Sequence, residues 1–279
     1  MTQPHPHPTL ALNDGRSIPQ LGLGVWRTPA DETAQAVKAA LDAGYRHIDT
    51  AAIYGNEAGV GEGLRASGVP RGDVFITTKL WNAEQGLDTT LRAFDASMKL
   101  LGLEQLDLYL IHWPCPARGL YVDTWRAFVR LQAEGRVRSI GVSNFEPEHL
   151  DRLVQETGVK PVLNQIELHP RFQQHALRDY HAAHGIATQA WSPLGQGQLL
   201  ADPAIVAIAR KHGKTPAQVI VRWHIEMGHV VIPKSVNAGR IAENADVFGF
   251  TLDAGDMAAI AGLNDSEGRI GPHPATAAF

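Results

Sequence analysis

Short, nearly continuous apolar runs alternate with amphipathic stretches eight times along this chain, at residues 21–25, 47–49, 74–79, 106–111, 137–142, 162–166, 187–191 and 230–232. Strands of this kind belong to parallel sheet covered by helices, because a half-solvated antiparallel strand would alternate strictly between apolar and polar. Between the runs, apolar positions recur at helical spacing. Ala34, Val37 and Leu41 make one stripe, and Leu87, Leu91, Phe94, Met98 and Leu101 make another. Thr28-Pro29-Ala30-Asp31 offers a cap, a proline for the first turn and an acid three residues on, while Gly44 and Gly102 stand where helices stop. Strand–helix units in series predict right-handed crossovers, and eight of them predict closure into a (β/α)8 TIM barrel, an α/β fold. Ahead of the first unit, residues 10–12 and 17–19 flank Asn13-Asp14-Gly15-Arg16, a strong turn signal. We expect an N-terminal β-hairpin plugging one mouth. No linker or close repeat divides the chain, so residues 1–279 read as one domain, with the proline- and histidine-rich stretch 1–8 a loose arm.

Composition narrows the class further. With 44% hydrophobic and 19% charged residues, the chain reads as soluble and globular. A net charge of −4 gives no pull toward nucleic acid or an anionic membrane. Cys115 is the only cysteine, which excludes an intrachain disulfide and a cysteine-based metal cluster and fits a reducing compartment, the cytosol. The first residues lack the basic and apolar regions of a signal peptide, and no apolar run has the length of a bilayer.

Chemistry in such barrels sits at the C-terminal ends of the strands and in the loops beyond. The second predicted strand ends in Asp49, with Tyr54 in the following loop; the third ends in Lys79 and the fourth leads to His112. Singly, each has an ordinary explanation: a helix cap, a rim aromatic, a snorkelling lysine, a satisfied histidine. Together they place four titratable groups at one mouth, which predicts a site. Trp26, Trp81 and Trp113 follow the first, third and fourth strands, whereas Trp125 and Trp223 fall inside helices and read as core. Ser192, Leu194, Gly195 and Gln196 follow the seventh strand, where barrels commonly hold phosphate. The Rossmann fingerprint is absent, since Gly195-Gln196-Gly197 runs on into Gln198-Leu199-Leu200.

Three stretches carry a family likeness: Gly44-Tyr45-Arg46-His47-Ile48-Asp49-Thr50-Ala51 continuing through Tyr54-Gly55-Asn56-Glu57 to Gly61; Arg138-Ser139-Ile140-Gly141-Val142-Ser143-Asn144-Phe145; and Ile232-Pro233-Lys234-Ser235 with Arg240-Ile241 and Glu243-Asn244. In this order and spacing the chain resembles the aldo-keto reductases. Trp191-Ser192-Pro193-Leu194-Gly195-Gln196-Gly197 is similar to the phosphate loop of the bacterial diketogluconate reductases. The resemblance implies NADPH-dependent reduction of aldehydes and ketones, with Asp49, Tyr54, Lys79 and His112 as the catalytic set. Tyr54 would donate the proton, its phenol pKa of about 10 lowered by Lys79; Asp49 would hold Lys79, and His112 would align the carbonyl. The same resemblance gives Ser143, Asn144 and Gln165 to the carboxamide and Trp191 to ring stacking, where many relatives carry tyrosine. It gives Lys234, Ser235 and Arg240 to the 2′-phosphate, Glu243 and Asn244 to the adenine, and Trp26, Trp81 and Trp113 to a substrate pocket. A monomer is implied. Diketogluconate, methylglyoxal, β-keto esters and aromatic aldehydes are all admissible substrates, and the short C-terminal tail suggests an open pocket with no cation at its mouth besides Lys79. Two rivals stay open: a cofactor-holding subunit with little turnover, and a sugar-phosphate isomerase or aldolase using Lys79 as a Schiff-base amine.

Overall fold

The structure, a computed structural model, describes residues 7–277. Two antiparallel strands come first, β1 (Thr9–Ala11) and β2 (Ser17–Pro19), joined through Gly15 in the left-handed region at φ 82°. Eight strands follow, all pairing parallel in sequence order: β3 (Leu23–Gly24), β4 (His47–Asp49), β5 (Phe75–Leu80), β6 (Leu106–Ile111), β7 (Val137–Ser143), β8 (Leu163–Glu167), β9 (Ala187–Trp191) and β10 (Val230–Val231). Bridges from Leu21 to Val231 and from Gly24 to Lys234 join the first of these to the last and close the barrel. This is the expected (β/α)8 fold. The stretch expected at 21–25 contracts to two paired residues because the closing ladder is sparse, and Pro233, lacking an N–H, follows the shortened β10.

The helices are α1 (Ala30–Asp42), α2 (Glu57–Ser67), α3 (Leu87–Leu101), α4 (Tyr121–Ala133), α5 (Pro147–Thr157), α6 (His175–His184), α7 (Pro203–His212), α8 (Pro216–Glu226), α9 (Ala238–Ala245) and α10 (Ala254–Ala261). Gly102 ends α3 at φ 67°, as its position predicted. At α1 the cap is Pro29 rather than Thr28, and no side chain caps it; the Thr33 hydroxyl instead donates back to the Pro29 carbonyl at 2.8 Å. Strand alternation divides the core. Ile48, Ile76 and Leu80 point outward to a helix-facing cluster with Val37, Val60 and Phe94, and Trp125 is buried there. Leu108, Leu110 and Leu163 pack inward against Leu12 and Ile18 of the hairpin. The extra helices α7 and α10 form a smaller cluster with α8 around Trp223.

The hairpin is stitched to the mouth where the strands begin. Asn13 donates to the Pro161 and Gly185 carbonyls at 2.9 and 3.1 Å, and Asp14 accepts from Ser139 Oγ at 2.7 Å. It plugs that mouth and leaves the other for chemistry. The loose arm expected at 1–8 lies outside the described residues as far as residue 6; His7 packs its ring 4.9 Å from Phe248 and edge-on to Tyr45. Among the described residues no helix is long and apolar enough to cross a membrane.

Candidate active site

Four strands send polar side chains to one point inside the barrel. Alternation along β5 turns Ile76 and Leu80 outward and Lys79 inward, where it is fully buried. Lys79 Nζ donates to Asp49 Oδ1 at 2.5 Å and to the Thr50 carbonyl at 2.8 Å. The other Asp49 oxygen accepts from Gln165 of β8 at 2.7 Å and Gln189 of β9 at 3.2 Å. The carboxylate is thus saturated, and the lysine is held against it.

Tyr54 arrives from a single 3₁₀ turn, 52–54, closed by Gly55 at φ 68°. Asn56 fastens that turn: it accepts from Thr50 Oγ1 at 2.7 Å and donates to the Val25 and Thr28 carbonyls at 2.9 and 3.3 Å, which also fixes the loop carrying Trp26. Lys79 Nζ lies 5.3 Å from the Tyr54 ring centroid, and the His112 ring meets Tyr54 edge-on at 5.8 Å. Trp81 also meets His112 edge-on, at 5.3 Å. All four residues singled out at the strand ends therefore come together.

Their electrostatics follow from burial and one cation. Burial alone would strip Lys79 of its proton, but the Asp49 carboxylate and the Tyr54 hydroxyl outweigh it and hold the ammonium above the usual lysine range. Burial pushes the Tyr54 phenol above its usual value; Lys79 opposes that push without cancelling it. Lys79 thus acts in the expected direction, and desolvation, the larger effect, sets the net one. His112 is held well below the usual histidine value by burial, with the Lys79 charge adding, so its ring is neutral, and its Nδ1 is buried without a hydrogen-bond partner.

A cavity of about 1150 Å³ opens beside this cluster and runs along the mouth. Trp26, Trp81 and Trp113 line it near Tyr54 and His112. Ser143, Asn144 and Gln165 line its floor, with Asn144 at φ 63° receiving the Trp191 Nε1–H on Oδ1 at 2.8 Å. Ser192, Leu194 and Gln196 form a side wall. Gly195 does not face the cavity: its amide donates to the Ser192 carbonyl, the Gly197 amide donates to Leu194, and a Cβ on Gly195 would stand 2.9 Å from Leu199. Both amides are thus spent within the loop, although Gly197 itself lines the cavity.

Lys234, Ser235 and Arg240 line the far end at the start of α9, whose cap Asn237 accepts from the Arg240 amide at 3.0 Å. Two cations and a hydroxyl at a helix N-terminus are chemically matched to a phosphate. Glu243 and Asn244 follow on the same helix and face the cavity, with Glu243 Oε1 fixed by Thr215 Oγ1 at 2.8 Å. Sequence reasoning missed two features. Arg27 lines the cavity with its guanidinium 4.2 Å over the Trp26 ring, so Lys79 is not the one cation at this mouth; its place just past the first strand was the available signal. Gly271 and Pro272 of the C-terminal tail also line it, so the tail expected to leave the pocket open supplies part of its wall.

The profile of the Aldo/keto reductase family matches residues 19–265. An aldo-keto reductase of Mycolicibacterium smegmatis is 62% identical over 98% of both chains. A glyoxal reductase of Bacillus subtilis is 51% identical over 95% of this chain and 96% of its own. The crystal structure of a mutant of Gox0644 in complex with NADPH superposes with a TM-score of 0.95 at 57% identity, covering 99% of this chain and 100% of that one. The chain belongs to the aldo/keto reductase family, which makes it an oxidoreductase of the NADPH-dependent carbonyl-reducing class.

Proposed function

We propose that the protein reduces small aldehydes and ketones to alcohols with NADPH, α-dicarbonyls of the glyoxal and methylglyoxal kind among them, and that Tyr54 gives the proton. The observation that carries the reading is the convergence of Tyr54, Lys79 and His112 at one end of a cavity whose other end sets Lys234 and Arg240 at a helix start. The donor set fits a dinucleotide bearing a 2′-phosphate: Lys234, Ser235 and Arg240 would hold that phosphate, Trp191 would stack on the nicotinamide, and Ser143, Asn144 and Gln165 would face its carboxamide. When bound, NADPH supplies the hydride that the carbonyl carbon receives.

The chain's own residues do the rest. Neutral His112 donates a hydrogen bond to the substrate oxygen and aligns the carbonyl. Tyr54, kept in its acid form by burial, passes its proton to that oxygen as the carbon gains the hydride. Lys79 then faces the phenolate left behind, and Asp49 keeps Lys79 charged for that moment. Three tryptophans make an apolar slot suited to compact carbonyl compounds. A single, buried cysteine agrees with a reducing, cytosolic setting.

The test is NADPH oxidation by purified protein against glyoxal, methylglyoxal, a β-keto ester, diketogluconate and an aromatic aldehyde, beside the same assay with NADH. Turnover with marked preference for NADPH is expected. NADPH binding without turnover on any member of the panel would overturn the enzyme reading in favour of a cofactor-holding subunit.

A further inference from the structure

Glu167 ends β8, two residues beyond Gln165, and its carboxylate is buried with no lysine or arginine among the described residues bonded to it. Oε1 accepts from the Ile270 amide at 2.5 Å and from His169 Nε2 at 3.1 Å, and Oε2 accepts from the Gly271 amide at 2.8 Å. Burial works toward the acid form of Glu167, but His169 and the two amides outweigh it and hold the carboxyl below its usual range. An ionised, two-oxygen acceptor is therefore spent on the backbone of a segment more than one hundred residues further along.

Gly271 shows how tightly that segment lies. A Cβ there would stand 2.6 Å from Cη2 of Trp191 and 3.0 Å from Glu167 Oε2. The tail backbone thus runs flat against the edge of the indole whose nitrogen donates to Asn144. Upstream, the Asp265 amide donates to the Arg171 carbonyl at 2.9 Å, a Cβ on Gly268 would meet the same carbonyl at 2.2 Å, and Arg269 stacks 4.6 Å over Phe172. Gly271 and Pro272 emerge from this docking as cavity wall.

We propose that Glu167 is a positioning residue: it clamps the Ile270–Gly271 amides so that Gly271 and Pro272 form a fixed wall beside Trp191, and that wall sets the size of carbonyl substrate admitted. A carboxylate is required because two neighbouring amides need two acceptors on one rigid group. Glutamine offers one, and turns its own N–H toward the other amide. The selectivity part rests on the carbonyl-reductase reading; the clamp itself does not.

The experiment compares the full-length protein with Glu167→Gln by backbone hydrogen exchange and by steady-state kinetics on methylglyoxal and an aromatic aldehyde. Exchange at Ile270 and Gly271 should accelerate on the order of tenfold, the factor that a charge-assisted bond supplies. The kcat/KM ratio should shift toward the aromatic aldehyde by about fivefold or more through KM, with kcat within about twofold, as loss of a binding wall requires. Unchanged exchange at both amides, or an unchanged substrate ratio, overturns the proposal. So does a fall in kcat with both KM values intact, which would make Glu167 part of the chemistry. Should Glu167→Gln fail to fold, Gly271→Ala asks the same question by forcing the tail off Trp191, with the same two readouts. If the unsubstituted protein turns over neither aldehyde, the carbonyl reading fails by itself, and the exchange result alone decides the clamp.

Discussion

Two ion pairs, each built on a buried aspartate, stand at opposite mouths of this barrel, and they differ in what surrounds the cation. At the plugged mouth, Asp107 of β6 accepts from Arg71 at 2.6 Å and from the Ile76 amide at 2.9 Å, with Arg138 at 3.3 Å. Arg71 also donates to the Val74 and Gln105 carbonyls. Every group faces a partner in the wall, and the pair ties β5 to β6. At the open mouth, Asp49 is equally saturated, but Lys79, held by Asp49 and the Thr50 carbonyl, also turns its charge on the Tyr54 side chain beside the cavity. The same pairing closes on the fold at one mouth and faces a titratable ring beside a cavity at the other, which is the basis of the chemical role proposed for it.

The sharpest way to break that comparison is Tyr54→Phe. Removing the proton donor should lower turnover by about 10²–10⁴-fold while NADPH affinity, read by fluorescence titration, stays within about threefold. Near-native turnover would remove Tyr54 from the acid role. In the unsubstituted protein the acid form is present below a phenol value raised by burial, so kcat/KM should fall only as pH rises beyond the usual tyrosine range.

Next in size is the paired substitution Asp49→Asn and Asp107→Asn. Lys79 has no exposure, so losing Asp49 leaves a buried cation at a cost of about 3–5 kcal/mol. Burial then drives the ammonium toward its neutral form, and turnover should drop with stability. Arg71 is about a third exposed (34%), and water can replace its lost partner, so Asp107→Asn should cost nearer about 2 kcal/mol with kcat unchanged. Urea denaturation alongside steady-state assays separates the two. Equal loss of activity in both variants would erase the distinction between the mouths.

Much of this arrangement was readable from local pattern. Eight apolar runs and the helical stripes between them specify the barrel, since each strand pairs with its neighbours in sequence order. Asp49, Lys79 and His112 were visible because strand ends define the mouth. What escaped depends on contacts between distant segments. The clamp from Glu167 to Gly271 spans 104 residues and leaves no periodicity to read. The net direction of the Tyr54 shift required knowing how deeply the ring is enclosed, which spacing does not reveal. α7 was absent from the eight-unit reading because Pro203 and the Asp202 cap start a helix outside the strand–helix alternation. Arg27 was overlooked although it satisfies the same rim rule that found Trp26.

A smaller effect tests the far end of the cavity, where the cations are exposed rather than buried. Arg240→Ala should raise the NADPH KM about tenfold or more and leave the NADH KM nearly unchanged, because only NADPH carries the phosphate that a guanidinium can grip. Parallel weakening for both cofactors would mean that Arg240 supports α9 rather than reading the 2′-phosphate.

The last contrast sets two histidines against each other, one toward each mouth, both neutral through burial. His112 faces the cavity, and its value well below the usual range keeps kcat/KM free of a histidine inflection between pH 5.5 and 8. His47, at the start of β4, is pressed against Gly22, where a Cβ would stand 2.5 Å from its Nδ1, and its Nε2 lies 3.2 Å from Thr77 Oγ1. Burial lowers it to about 4, against the pull of Asp49. The unfolded chain takes up this proton below about 6.5, while the folded chain refuses it until about 4, so stability falls as pH drops through that window and levels off beneath it. His181, lowered to about 4, and His229, lowered to about 3, add to the same slope. In His47→Gln the fall measured by denaturation between pH 6.5 and 4 should be shallower by up to about 1.4 kcal/mol per pH unit, the limit for one proton. Identical slopes would mean that His47 reaches water before the fold opens, and that the plugged mouth is looser than its packing implies.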